Sequence, residues 1–370
     1  MTEKTIPRVK HSSQIKLDIL QSVHQYFSPN DTPFLNQQCQ IMRDKQPYAG
    51  LRLLHNVHIT LSTLIKLEPL LLSGAEITVT ATRGQQIHES AINLLKMANI
   101  NFIPEEDLEN DYDFCLDCCG ELLNKITPRF GAIELTQTGS VKYKNATLDY
   151  PVISIDETIS KNLENLLGTG DGFIRAFKEL TKEEIKGQKF VLFGYGKVGK
   201  GVVKAISPYT KNIIIIEENK DLVEKIKEKG LQAFHISETS KIRKSFENAF
   251  CITTATGNDG TISTYFEKED FNSCKYLANI GSEDEFGDKF SIDDVLFKKR
   301  PINFSLTEPT KIKFLDPIFY MHNNAIDFIL SKTISSGFHA YPQKIDRIIF
   351  NKWITSHNED ISVLDLMDMI

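Results

Sequence analysis

From residue 51 onward, short apolar runs alternate with amphipathic stretches, the pattern of parallel strands joined by crossover helices. LRLLHNVHI reads as a strand and turn, TLSTLIKLEPLLLSG as a helix closing at Gly74 with Pro69 as a candidate kink, and EITVTAT as the next strand. In QQIHESAINLLKMANI, Ile87, Ala91, Leu94, Leu95 and Ala98 share one face at helical spacing, and FCLDCC and AIELTQT return to strand character. These segments predict one α/β domain within about the first 150 residues. PVISIDETISKNLENLLGTGDGFIRAFKEL is then predicted mostly helical, with a hinge near residues 157–170.

A second unit opens at QKFVLF, a strand-like run followed directly by Gly194-Tyr195-Gly196-Lys197-Val198-Gly199 and by KGVVKAI at helical spacing. In a strand-turn-helix setting each glycine has a reason. The first permits the tight turn, the second lets backbone approach a pyrophosphate, and the third lets helix and strand pack closely, with helix N-terminal amides facing the phosphates. The next strand, NIIIIE, ends in Glu217, 23 residues after the first glycine, near the spacing of about 20 expected for the acid that binds the adenosine ribose. A carboxylate there repels a 2′-phosphate, so NAD is expected rather than NADP. FCITTATG, ending in Thr254, Ala255 and Thr256, and YLANIG, ending in Asn279, Ile280 and Gly281, place small residues at further strand ends, where ligands lie in open α/β sheets.

The chain has 370 residues, and single cores stop growing at roughly 250 to 300. Two domains follow: residues 1–157 as the first part of an α/β substrate domain, 158–315 as an inserted Rossmann-type NAD-binding domain with a doubly wound parallel sheet, and 316–370 as C-terminal helices returning to the substrate domain. A net charge of −6 with 41% hydrophobic and 25% charged residues gives no reason to seek nucleic acid or an anionic membrane as partner. No secretory signal or span of about 20 apolar residues is present, so a cytoplasmic protein is expected. The six cysteines fit reduced thiols. Cys115, Cys118 and Cys119 invite a zinc reading, but no second pair or nearby histidine completes four ligands, so no metal is expected.

Read together, QPYAGLRLLHNVHITLSTLIKLEPLLLSGAE, FCLDCCGEL, ELTQTGS, SIDETISKNLENLLGTGDGFI, VLFGYGKVGKG, IIIIEENK, ITTATG, LANIGSED and PINFSL resemble the ordered landmarks of the S-adenosylhomocysteine hydrolase family, over residues 40–330. That resemblance implies a tightly held NAD that oxidises the substrate ribose, an active site in the cleft between domains, and a homodimer or homotetramer. It assigns Thr136, Thr138, Asn165, Gly194, Gly196, Lys197, Val198, Gly199, Glu217, Thr254, Ile280 and Asn303 to the cofactor, and His58 and Thr60 to the substrate.

The catalytic positions depart from the family. Cys118 stands where the resemblance puts a carboxylate, Leu135 replaces the second of two glutamates, Ser160 a lysine and Ser282 a histidine; Glu164 replaces an aspartate, and Asp316 the histidine of a histidine-proline pair. Cys118 and Asp316 therefore face the substrate only by position. The family's basic, tyrosine-bearing tail is not found in the closing VLDLMDMI. The expected function is an NAD-dependent oxidoreductase acting on a small hydroxylated or amino compound without thioether hydrolysis, with His58, Lys161 and Glu164 as candidate catalytic groups. The alternatives are a catalytically silent NAD-binding protein and a functioning adenosylhomocysteinase. His88 and His322 read as structural, and Lys311 and Lys313 as a solvated loop more than an anion site.

Overall fold

Runs of four or five β-branched and apolar residues bounded by turns give short strands that bury both faces, which is what a parallel sheet covered by helices requires. The computed structural model describes residues 16–82, 85–331 and 334–359. Its strands, among the described residues, are β1 (Arg52–Asn56), β2 (Glu76–Thr80), β3 (Asn101–Phe102), β4 (Phe114–Asp117), β5 (Gly131–Glu134), β6 (Pro151–Ser154), β7 (Phe190–Phe193), β8 (Ile213–Glu217), β9 (Gln232–His235), β10 (Cys251–Thr254), β11 (Tyr276–Asn279) and β12 (Gly337–Ala340). They form two sheets, ordered β12-β6-β5-β4-β1-β2-β3 and β11-β10-β7-β8-β9. Every pairing is parallel.

The chain divides into two compact units. The first reaches Lys161 and resumes at Ile312; the second runs from Asn162 to Lys311. Both joints lie four residues from the 157/158 and 315/316 divisions drawn on sequence. At the first, a helical run continues across the joint and leaves no break in pattern to read: Ile159–Asn162, then a wider π turn at Leu163–Gly168, then helix Thr169–Thr181.

In the first unit, helix Leu61–Leu72 is buried almost all round, with Pro69 inside it, and Gly74 closes it at φ +84. The segment expected to be mostly helical begins with β6, paired on both sides by β5 and β12. AIELTQT is strand only to Glu134, because Thr136 caps helix Gln137–Lys144. The C-terminal stretch is not all helical: β12 lies between helices Ile312–Ser331 and Gln343–His357. The closing VLDLMDMI and the first 15 residues lie outside the described residues.

In the second unit the sheet carries apolar clusters on both faces, one including Leu192, Val202 and Ile215, the other Val191, Phe193, Ile214 and Phe246. The strand order reverses direction between β7 and β10, and that is where an open α/β sheet leaves a crevice at its carboxyl edge.

Candidate functional site

The crevice after β7 is shaped by glycines. Gly194 sits at φ +89, and a Cβ on it would come 2.4 Å from the Ala255 carbonyl oxygen. A Cβ on Gly199 would lie 2.1 Å from the Gly194 oxygen. Neither position accommodates a side chain. Gly196, the N-cap of helix Lys197–Ile206, has φ −71 and nothing within 4 Å of its would-be Cβ. The fold therefore does not demand glycine there, and the vacancy matches the space a pyrophosphate needs to reach the backbone. Lys197 and Val198 form the first turn of the same ten-residue helix.

Gly194, Gly196, Glu217, Ala255 and Thr256 line one cavity of about 310 Å³, walled also by Tyr195, Leu222, Ile236 and Tyr265. Glu217 ends β8 with its carboxylate held by backbone: Oε2 accepts from Tyr195 N at 2.8 Å, and Oε1 from Glu218 N at 2.9 Å and Asn219 N at 3.0 Å. A carboxylate offers about four acceptor positions, so three backbone bonds leave capacity for a ligand hydroxyl. The donor set and the open glycine fit a dinucleotide.

The remaining cofactor candidates of this unit are not among the residues that line this cavity. Buried Thr254 donates to Asn279 Oδ1 at 3.0 Å, which also accepts from Gly281 N, while Asn279 Nδ2 donates to the carbonyls of Glu283 and Lys299. Ile280 N donates to the Thr254 carbonyl. Asn303 is buried against Gly172, whose Cβ would lie 3.1 Å from its own. Asn165 lies in the π turn, half-buried.

One residue the sequence did not single out is Glu285. Fully buried, it accepts from Thr256 N at 2.8 Å and Gly257 N at 2.7 Å, bracing the loop after β10, and burial pushes its carboxyl up. Nothing in SEDEF marks it, since its partners lie 28 and 29 residues earlier.

In the first unit, His58 Nδ1 accepts from Gln86 N at 2.9 Å. Burial, helped by the charge of Lys161, brings its pKa down to about 4. The ring is thus neutral near pH 7, with its hydrogen on Nε2. Lys161 is buried, and Glu164 is half-buried in the π turn.

Several substrate and catalytic positions are committed to the fold. Thr60 is the N-cap of helix Leu61–Leu72 in a reciprocal capping box with Thr63. Asp316 is buried and accepts from Phe34 N and Leu35 N, each at 2.9 Å, capping helix Pro33–Lys45. Ser160 donates to Asp346 Oδ1 at 2.7 Å. Thr136 donates to Glu134 Oε1 at 2.7 Å and accepts from Cys119 N and Gly139 N, whereas Thr138 is exposed. Cys118 is buried beside Cys119.

His88 is the N-cap residue of helix Glu89–Met97, and His322 is buried with Nε2 donating to the Ile133 carbonyl. Lys311 pairs with Asp171 and Lys313 with Glu359. Among the described residues, no group of three or more His, Cys, Asp or Glu is placed to hold a metal, and no helix is long and apolar enough to cross a membrane.

Residues 190–281 match the TrkA-N domain family, a nucleotide-cofactor-binding domain. The chain is also similar to curated proteins. It is 26% identical to the S-inosyl-L-homocysteine hydrolase of Methanococcus maripaludis, over 58% of this chain and 58% of that protein. It is 25% identical to the adenosylhomocysteinase of Thermococcus kodakarensis, over 68% and 64%, and 24% identical to that of a Nostoc species, over 93% and 92%. The chain thus spans less than two thirds of the length of the first two.

Proposed function

Since the chain is a divergent homologue of the adenosylhomocysteinases, we propose that it works as an NAD-dependent oxidoreductase on a small hydroxylated or amino compound and not as a thioether hydrolase. The observation that carries this is the glycine turn with Glu217: two glycines required by packing, one left open, and an acid at the ribose position. Bound NAD supplies a hydride acceptor. The protein's part is to hold the pyrophosphate on the amides of residues 196–199 and the ribose hydroxyls on Glu217, whose charge disfavours a 2′-phosphate.

The substrate side rests on His58, Lys161 and Glu164. Neutral His58 orients the substrate, and Lys161, whose charge already acts on His58, polarises the reacting group. Glu164, in the second unit's π turn, is the remaining candidate for a proton acceptor. Elimination and readdition across a thioether need more acid/base groups than this, and the positions at which relatives similar to this chain would carry them hold Cys118, Leu135, Ser160 and Ser282. Ser160 and Asp316 each hydrogen-bond at a helix start. His58's low basicity favours a second reading in which NAD is bound but not turned over.

Three measurements separate the readings. Purified protein is assayed for bound or stabilising NAD, then for thiol release from S-adenosylhomocysteine and S-inosylhomocysteine, then for NADH absorbance against alcohols and amino acids. NAD binding with NADH formation and no thiol is the expected result; homocysteine release overturns the proposal, and binding without any reduction selects the silent reading.

A further inference from the structure

The carboxyl end of β4 carries a feature that the cofactor reading does not use. Cys118 and Cys119 are consecutive, and their sulfurs lie 3.8 Å apart in a hydrogen-bonded contact. Cys118 is buried and Cys119 half-buried. Cys119 and Gly120 both adopt left-handed backbone, φ 69 and 61, and their amides anchor the turn. Cys119 N donates to Glu134 Oε1 at 3.1 Å and Thr136 Oγ1 at 2.9 Å, and Gly120 N to Glu134 Oε2 at 3.0 Å. The turn is thereby held with the two sulfurs adjacent.

We propose that Cys118 and Cys119 are a reversibly oxidisable dithiol reactive toward peroxides, with Cys119 as the attacking sulfur and Cys118 as the resolving one. The other thiols do not compete. Cys39, Cys115 and Cys251 are buried, and burial pushes Cys274 up to about 11. The Cys118 thiol, hydrogen-bonding to Cys119, brings the latter down to about 7, which makes it a substantial thiolate at neutral pH.

The chemistry balances without a cofactor. The Cys119 thiolate attacks one peroxide oxygen, the O–O bond breaks, and hydroxide leaves as water after taking a proton. The sulfenic acid so formed is attacked by the Cys118 sulfur, which loses its proton; the S–O bond breaks and a second water leaves. The dithiol is oxidised by two electrons and the peroxide reduced. Consecutive Cα atoms are ~3.8 Å apart, below the usual disulfide span of about 4.4–6.8 Å, so the closed ring is strained and easily reduced, as a regulatory bond is. Closure also reaches His58, because Gln85 Nε2 donates to the Cys118 carbonyl and Gln86 N to His58 Nδ1.

The test treats the reduced full chain with equimolar hydrogen peroxide and maps its peptides by mass spectrometry. The expected result is loss of two hydrogens from the peptide holding both cysteines, restored by dithiothreitol. In Cys118→Ser a dimedone adduct is expected on Cys119, and in Cys119→Ser the peroxide rate constant falls by about tenfold or more. An unmodified Cys118–Cys119 peptide in wild type, oxidation mapped to Cys274 instead, or an unchanged rate in Cys119→Ser overturns the proposal. The wild-type map decides even if a variant does not fold.

Discussion

At the residue scale, the three glycines of the turn after β7 separate folding from binding. Gly199→Ala drives a methyl onto the Gly194 carbonyl, an overpacking expected to cost about 1–3 kcal/mol. Gly196→Ala meets nothing, so denaturation without ligand should match wild type while the NAD-induced rise in melting temperature shrinks or disappears. A Gly196→Ala protein that binds NAD as well as wild type would remove the phosphate from this turn. His58 gives a pH prediction. Folding lowers its pKa from the ordinary 6.5 to about 4, so as pH falls the unfolded chain takes up the proton first. Its contribution to stability is complete above about 6.5 and is lost as pH falls toward 4. Buried His55 and His322, also lowered by burial, add to the same slope. His58→Gln should flatten part of it in urea titrations across that window, and the ring signal of His58 in wild type should not move between pH 8 and 6.

At the element scale, helix starts are fastened by acids far away in sequence. Asp346 accepts from Ile159 N at 2.6 Å, Ser160 N at 3.0 Å and the Ser160 hydroxyl at 2.7 Å; Asp316 does the same service for helix Pro33–Lys45. Asp346→Ala strands these donors in a buried place and is expected to cost about 2–3 kcal/mol, read from the denaturation midpoint. Such partners, 186 and 282 residues apart, leave no local trace, which is why Ser160 and Asp316 read on sequence as altered site positions and not as capped helices. Strands with apolar runs, such as β7, β8 and β10, were legible from their composition. β6 was hidden by its opening Pro151 and adjoining helical pattern, and β12, GFHA, is an edge strand whose residues are half-buried or exposed. The dinucleotide turn was readable because strand, glycines, helix and acid follow one another in 30 residues; the cavity walls at Ile236 and Tyr265 come from later elements, and only the fold brings them there.

At the scale of the whole molecule, the two units differ in how the chain builds them. The first is assembled from two separate stretches, with β12 from the second pairing β6 of the first, so neither stretch completes its sheet alone. The second is one continuous segment, Asn162–Lys311, with all five strands of its sheet and an apolar cluster on each face. A continuous unit of that kind has what independent folding requires. Every residue lining the 310 Å³ cavity falls between 193 and 265. Residues 162–311 expressed alone should therefore melt cooperatively and keep an NAD-induced rise in melting temperature. Cooperative melting with no response to NAD, beside a responsive full chain, would mean that binding depends on chain outside residues 162–311. No folded state at all would mean that the second unit's core is incomplete without the rest of the chain.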